Sequence, residues 1–268
     1  MTPIIGSTIL EATVDTESFL CAIAAVIPHA GRKAESAHLY RLRLHLDHPD
    51  SMTVTASDGY SAAAARVSLI ALHGDIEANP CIDISPADVA KIRAVFHKKK
   101  KADVDDEGLL QIRKAVEMHP EPAPDVADRE EADTAAEPEL VPVYYVHLSD
   151  VSGMIPGETL ELPMLPPHEH APNVPRMIAR ELGTATGMVE SFGILPELIT
   201  RFTAAAKAYN TNLIASVADD ESAMVVVRCG EDFIGVAHPQ RYSELSLAAQ
   251  RDWLLAWREQ FASLPDPE

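Results

Sequence analysis

An α+β fold follows from three observations on this chain of 268 residues. The pattern strand, helix, several antiparallel strands starts three times, near Ile9, Cys81 and Gly187. Strands such as Arg41–Leu46, where Leu42, Leu44 and Leu46 alternate with Arg41, Arg43 and His45, have a period of two and therefore one buried and one wet face. Ser57-Asp58-Gly59-Tyr60 is a turn joining one strand to the next. A helix ends the chain.

The first unit opens with a strand over 9–15 and a helix over 17–27, for which Thr16 is the expected N-cap. Phe19, Leu20, Ile23 and Ile27 fall at helical spacing, and Pro28 and Gly31 stop the helix. His48-Pro49-Asp50-Ser51 turns the Leu42–Leu46 strand into one holding Val54 and Ala56. The chain leaves the Asp58-Gly59 turn as a small-residue strand with one charge, Arg66. The second unit has a strand at Cys81–Ile84, then a helix over about 86–98. Ser85 is its N-cap, Pro86 its first residue, and Val89, Ile92, Val95 and Phe96 point inward. Strands over 109–116 and 143–148 follow. The stretch between them, about 117–140, is rich in Pro, Ala and acids, without aromatics or periodicity, and reads as a disordered, solvated loop. The third unit has a strand over 187–192 and a helix from Pro196 to about Tyr209, with Leu198, Ile199, Phe202, Ala205 and Ala206 inward. Its strands are 213–218, 223–229 and 232–237. The final helix, about 246–263, carries Trp253, Leu254, Trp257 and Phe261; packing of this apolar face onto the parent fold is the expected arrangement, and self-association or partner docking the alternative.

Composition narrows the function. The apolar fraction of 47% is that of a globular protein, and no run of about 18 apolar residues spans a membrane. The N-terminus lacks the basic and apolar regions of a signal peptide. Cys21, Cys81 and Cys229 are far apart and lie in apolar stretches, as reduced thiols in a cytoplasmic protein would. The net charge of −19 argues against nucleic acid only if spread evenly, and it is not. The segment 115–141 supplies −8 of it, while Lys91, Arg93 and Lys98 to Lys101 cluster elsewhere.

These stretches resemble the DNA polymerase III beta-subunit family of bacterial sliding clamps. Thr53–Arg66 is similar to the family's T-A-T-D-G hairpin. Ile84–Phe96 and Pro196–Lys207 are similar to its domain helices, and Phe233–Pro239 resembles its last strand. The resemblance implies curved antiparallel sheets with helices on one face, forming a ring with sheet outside and helix inside, through which duplex DNA passes without base readout. It implies no catalytic residue and no cofactor. It places Lys91, Arg93, Lys98, Lys99, Lys100, Lys101, Arg201 and Lys207 toward phosphates, although Lys91 and Arg93, two residues apart, diverge by about 200° on a helix. Lys98 to Lys101 also suit a helix C-terminus, as a solvated, solubilising run. The resemblance also implies that Val236, His238 and Pro239 border the pocket for a polymerase or other replication partner, with the terminal helix of Trp253 and Trp257 either covering that pocket or replacing it as a docking surface. The expected domains are 1–170, with the acidic loop inside it, a shorter 171–245, and the helix over 246–268. Family chains carry six strand–helix–strand units; three here leave a half-domain, and a homo-oligomer is implied.

Two other classes stay open. One is a clamp-fold or unrelated α+β protein-interaction module that does not encircle DNA. The other is a hydrolase using His168 and His170. His168-Glu169-His170 lies among Pro166, Pro167 and Pro172, so it is no helical HExxH, and a polar loop is the expected role. Asp103, Asp105, Asp106 and Glu107 lack EF-hand spacing. No GxSxG, Walker A or GxGxxG motif occurs.

Overall fold

The computed structural model describes residues 7–33, 36–74, 81–97, 108–120, 140–183, 193–217, 224–240 and 242–262. The first unit is β1 (Ser7–Asp15), α1 (Thr16–Val26), β2 (Leu42–His48), β3 (Ser51–Ser57) and β4 (Ser61–Gly74). The second is β5 (Cys81–Ile84), α2 (Pro86–Phe96), β6 (Leu109–Pro120), β7 (Leu140–Asp150) and β8 (Thr159–Pro163). After α3 (Val174–Leu182) come α4 (Pro196–Tyr209), β9 (Leu213–Val217), β10 (Val225–Cys229) and β11 (Phe233–Ala237), then α5 (Glu244–Ala262). The expected strand over 187–192 lies outside the described residues.

The strands join in the order β5-β2-β3-β4-β1-β6-β7-β8, all antiparallel. The first two units interlock reciprocally. β5 pairs with β2 (Leu44↔Ile82), and β1 pairs with β6 (Ala12↔Ile112). Each unit's first strand thus seals the second strand of the other. The sheet curls until the chain beyond β8 reaches β5, where Leu165 N–H donates to the Asp83 carbonyl at 2.9 Å. β4 is long enough to serve two neighbours along one edge. Its start, Ser61–Ala65, holds β11, and its end, Leu69–Gly74, holds β1.

Alternation in β4 shows why it is built from alanines. Ala63 and Ala65 belong to the main core with Phe19, Ile23 and Phe202 of α1 and α4. Ala62 and Ala64 face the opposite side, where Val174 and Ile178 of α3 meet them. A strand covered by helices on both faces has room for small side chains only. Gly235 on β11 makes the same point, since a Cβ there would stand 2.7 Å from the Phe202 ring and 2.9 Å from the Ala62 carbonyl.

Local signals set most boundaries. Asp15, rather than Thr16, caps α1, its Oδ2 accepting from Ser18 N–H at 2.7 Å. Ser85 caps α2 as expected, accepting from Asp88 N–H at 3.1 Å. β6 runs on to Pro120, paired with Leu140, so 117–120 belong to a strand and not to the acidic loop; residues 121–139 lie outside the described residues. α3, which no sequence signal among the surrounding prolines announces, is capped by Asn173, whose Oδ1 accepts from Arg176 N–H at 3.0 Å. Ile199 faces solvent instead of the core. No helix among the described residues is long and apolar enough to cross a membrane.

Candidate functional site

Three surfaces carry the side chains expected to act. The first is the helix side. A groove of about 770 Å³ runs between the start of α2, the 3-10 turn at Ile27–His29 and α4, lined by Arg32, Tyr40, Pro86, Glu197, Arg201 and Lys207 among others. Lys207 and, in the last turn of α2, Arg93 are exposed and carry no ion pair among the described residues. Lys91 is exposed as well, but its Nζ lies 2.7 Å from Asp88 Oδ1. Lys98 to Lys101 lie outside the described residues. Arg32 was not anticipated; the Gly31 helix stop immediately before it was its only signal.

Arg201 is placed differently from the other cations. Its side chain is 13% exposed and its Nη1 donates to Asp58 Oδ2 at 2.6 Å and to Ser61 Oγ at 2.7 Å. Asp58 is held in turn by the hairpin, where its Oδ1 accepts from Tyr60 N–H at 3.1 Å and Ser61 N–H at 2.9 Å. Gly59 supplies the left-handed φ of 88° that the turn requires. Ser61 Oγ also meets His29 Nδ1 at 3.1 Å. Burial pushes the His29 imidazole down to about 3, the Arg201 guanidinium adds to this, and Asp58 opposes it. The ring is therefore neutral, packed against Phe202 at 4.7 Å between centroids. This network pins α4 to the β3–β4 hairpin and spends the charge of Arg201 in doing so.

The second surface is the end of β11. His238 N–H donates to the Tyr60 carbonyl at 3.1 Å, so the hairpin tip and the residues after β11 lie side by side. Tyr60 and His238 are exposed and Pro239 is half-buried. Val236 is fully buried beneath α3, alongside Ala62, Ala64 and Ile178.

The third surface is α5, whose apolar face is the kind expected to pack on the fold. Trp253 is 60% exposed, Trp257 40% and Phe261 58%. The three rings follow one another along the helix, Trp253 edge-to-face with Trp257 at 5.9 Å and Trp257 tilted against Phe261 at 5.0 Å between centroids. The aromatic face is thus open.

The candidate metal cluster is a surface turn. His168 lies 5.7 Å from both His38 and His170 by ring centroids, and Glu169 is exposed. Among the described residues no group of three or more His, Cys, Asp or Glu is arranged to hold a metal.

No protein-family model matches the chain, and no curated protein matches it in sequence. Solved structures do match. The sliding clamp (DNA polymerase III subunit beta) of Bartonella birtlesii, bound to griselimycin, superposes over 90% of this chain with a TM-score of 0.54 at 10% identity. The DNA polymerase III beta subunit of Thermotoga maritima gives 91% and 0.53 at 12% identity, and that of Borrelia burgdorferi 91% and 0.51 at 9%. The chain spans 68%, 68% and 66% of their respective lengths. The reciprocal pairing of two strand–helix–strand units, a further unit joined through β4 and β11, and these superpositions lead to one conclusion: the chain has the bacterial sliding-clamp fold.

Proposed function

We propose that the protein is a sliding-clamp-like replication accessory factor, without catalytic activity of its own, that lies against or around duplex DNA and tethers a polymerase or other partner there. The observation that carries this reading is the pair Arg93 and Lys207, exposed and unpaired among the described residues, on helices α2 and α4 that flank one groove with Arg32. An acidic protein that keeps a few cations on its helix side meets phosphates there and repels them elsewhere. Lys91 and Lys98 to Lys101 would extend that contact; Arg201 serves instead as the anchor of α4. A partner would dock where Tyr60, His238 and Pro239 meet, above the buried Val236, with Trp253 and Trp257 as a second foothold. On this reading the domains are 1–170 and 171–245, with the helix over 246–268, and the protein works as a homo-oligomer in the cytoplasm.

The exposed aromatic face of α5 favours a second reading, in which the same fold binds proteins and never holds DNA. Fluorescence anisotropy with a labelled 30-bp duplex separates the two. On the first reading affinity falls steeply with salt, and the double variant Arg93→Glu, Lys207→Glu reduces the slope of log K against log salt by about two. Absence of salt-dependent association at low ionic strength would leave only the second reading.

A further inference from the structure

β4 and β11 turn an apolar face away from the main core. Their register sets Ala62 opposite Val236 and Ala64 opposite Ile234, and Met224 and Val226 widen the patch. Side chains two residues apart on a strand share a face, so the patch runs on past Ala62 and Val236 toward Tyr60 and His238. The bond from His238 N–H to the Tyr60 carbonyl continues the ladder there. The exposed docking surface and the buried patch are therefore two ends of one face.

α3 fills the deep end. Val174 and Ile178, four residues apart, are buried against the patch, and Met177 packs beside them. Glu181 adds a carboxylate that is 5% exposed, its Oε2 accepting from Met224 N–H at 3.0 Å. Arg176, Ala179, Arg180 and Leu182 face solvent. Nine residues are too few to hold a helix in water, where about 12–15 are needed, so α3 owes its form to the face it covers. The chain before it is fixed as far as Pro166, by Leu165 N–H on the Asp83 carbonyl and by Arg41 Nη1 on the Pro166 carbonyl at 3.2 Å. From Pro167 to Asn173 it runs without helix or strand. A short helix on such a tether can open without breaking the sheet.

We propose that α3 is an internal occupant of the partner-docking face, and that a partner reaches Val236 by displacing it. The displacing segment has the chemistry of α3 itself: two aliphatic side chains four residues apart and a carboxylate for the Met224 amide. The inference rests on the docking reading above and adds its regulation, since the protein keeps the deep end of its own site closed until a competing segment arrives.

Fluorescence anisotropy tests it, with a labelled synthetic peptide of residues 172–183 added to the full chain. In the double variant Val174→Asp, Ile178→Asp the internal helix leaves the face, and the peptide should bind. If α3 covers the face in about nine molecules in ten or more, the unaltered protein should bind the peptide at least about tenfold more weakly. The peptide carrying Ile178→Asp should bind neither protein. Equal binding to the two proteins, or none to the folded variant, overturns the proposal. Where the variant loses its far-UV circular dichroism, hydrogen exchange on the unaltered protein decides. After correction for intrinsic rates, the amides of Ile178 to Leu182 should exchange about a hundredfold faster than those of β11. Exchange of α3 in step with β11 overturns the proposal. The variants leave Arg93 and Lys207 untouched, so salt-dependent DNA association still tests the tethering reading separately, and its loss would leave the peptide result standing.

Discussion

Arg201 and His29 show how single buried charges and dipoles set the geometry of the helix side. Arg201 reaches Asp58 and Ser61 across 143 and 140 residues of sequence, and both partners of the ion pair are 13% exposed. Removing one partner of so enclosed a pair leaves an uncompensated charge. Arg201→Ala should therefore destabilise the protein by about 3–5 kcal/mol in urea unfolding. A loss within the range of an ordinary surface change would mean that the pair is solvated and does not anchor α4. His29 adds a pH dependence of definite sign. Its imidazole stays neutral in the folded chain down to about 3, whereas the unfolded chain takes up the proton below about 6.5. Its contribution is complete above that pH and is lost as pH falls toward 3. Between pH 7 and 5 this costs about 2 kcal/mol. Denaturant unfolding at the two pH values, in the unaltered protein and in His29→Gln, measures it: the difference between the pH values should shrink in the variant.

At the scale of elements, β4, β11 and α4 meet in a close joint. Gly235→Ala should cost about 1–3 kcal/mol, because the added methyl meets the Phe202 ring and the Ala62 carbonyl in a strand already paired on both sides. A neutral result would show that α4 sits loosely on β11. Much of this layer was readable from sequence. The Leu42–Leu46 alternation, the Ser85-Pro86 helix start and the Asp58-Gly59 turn are local signals, and each determines its own element. Three things were not readable. α3 hides among Pro166, Pro167, Pro172 and Pro175, and its apolar positions make sense only against β4 and β11, which are distant in sequence. The double coverage of Ala62 to Ala65 depends on that same helix. The pairing of Arg201 with Asp58 is a long-range event that no spacing reveals, so a cation expected at the phosphates became an anchor. α5 failed in the opposite way: its Trp253, Trp257 and Phe261 face is apolar enough to read as core, yet it stays open.

On the scale of the whole molecule, the described residues join three similar units through one sheet. Units one and two complete each other, and the third is joined to them through β4 and β11. That arrangement gives a curved sheet with Arg93 and Lys207 exposed on its helix side. The decisive measurement is retention on nicked circular duplex DNA compared with the same DNA linearised, followed by gel filtration at moderate salt. A clamp-like factor co-elutes with the circle and is lost from the linear form, because a topological link persists only on DNA without free ends. A protein that leaves both forms equally contradicts the DNA-tethering account.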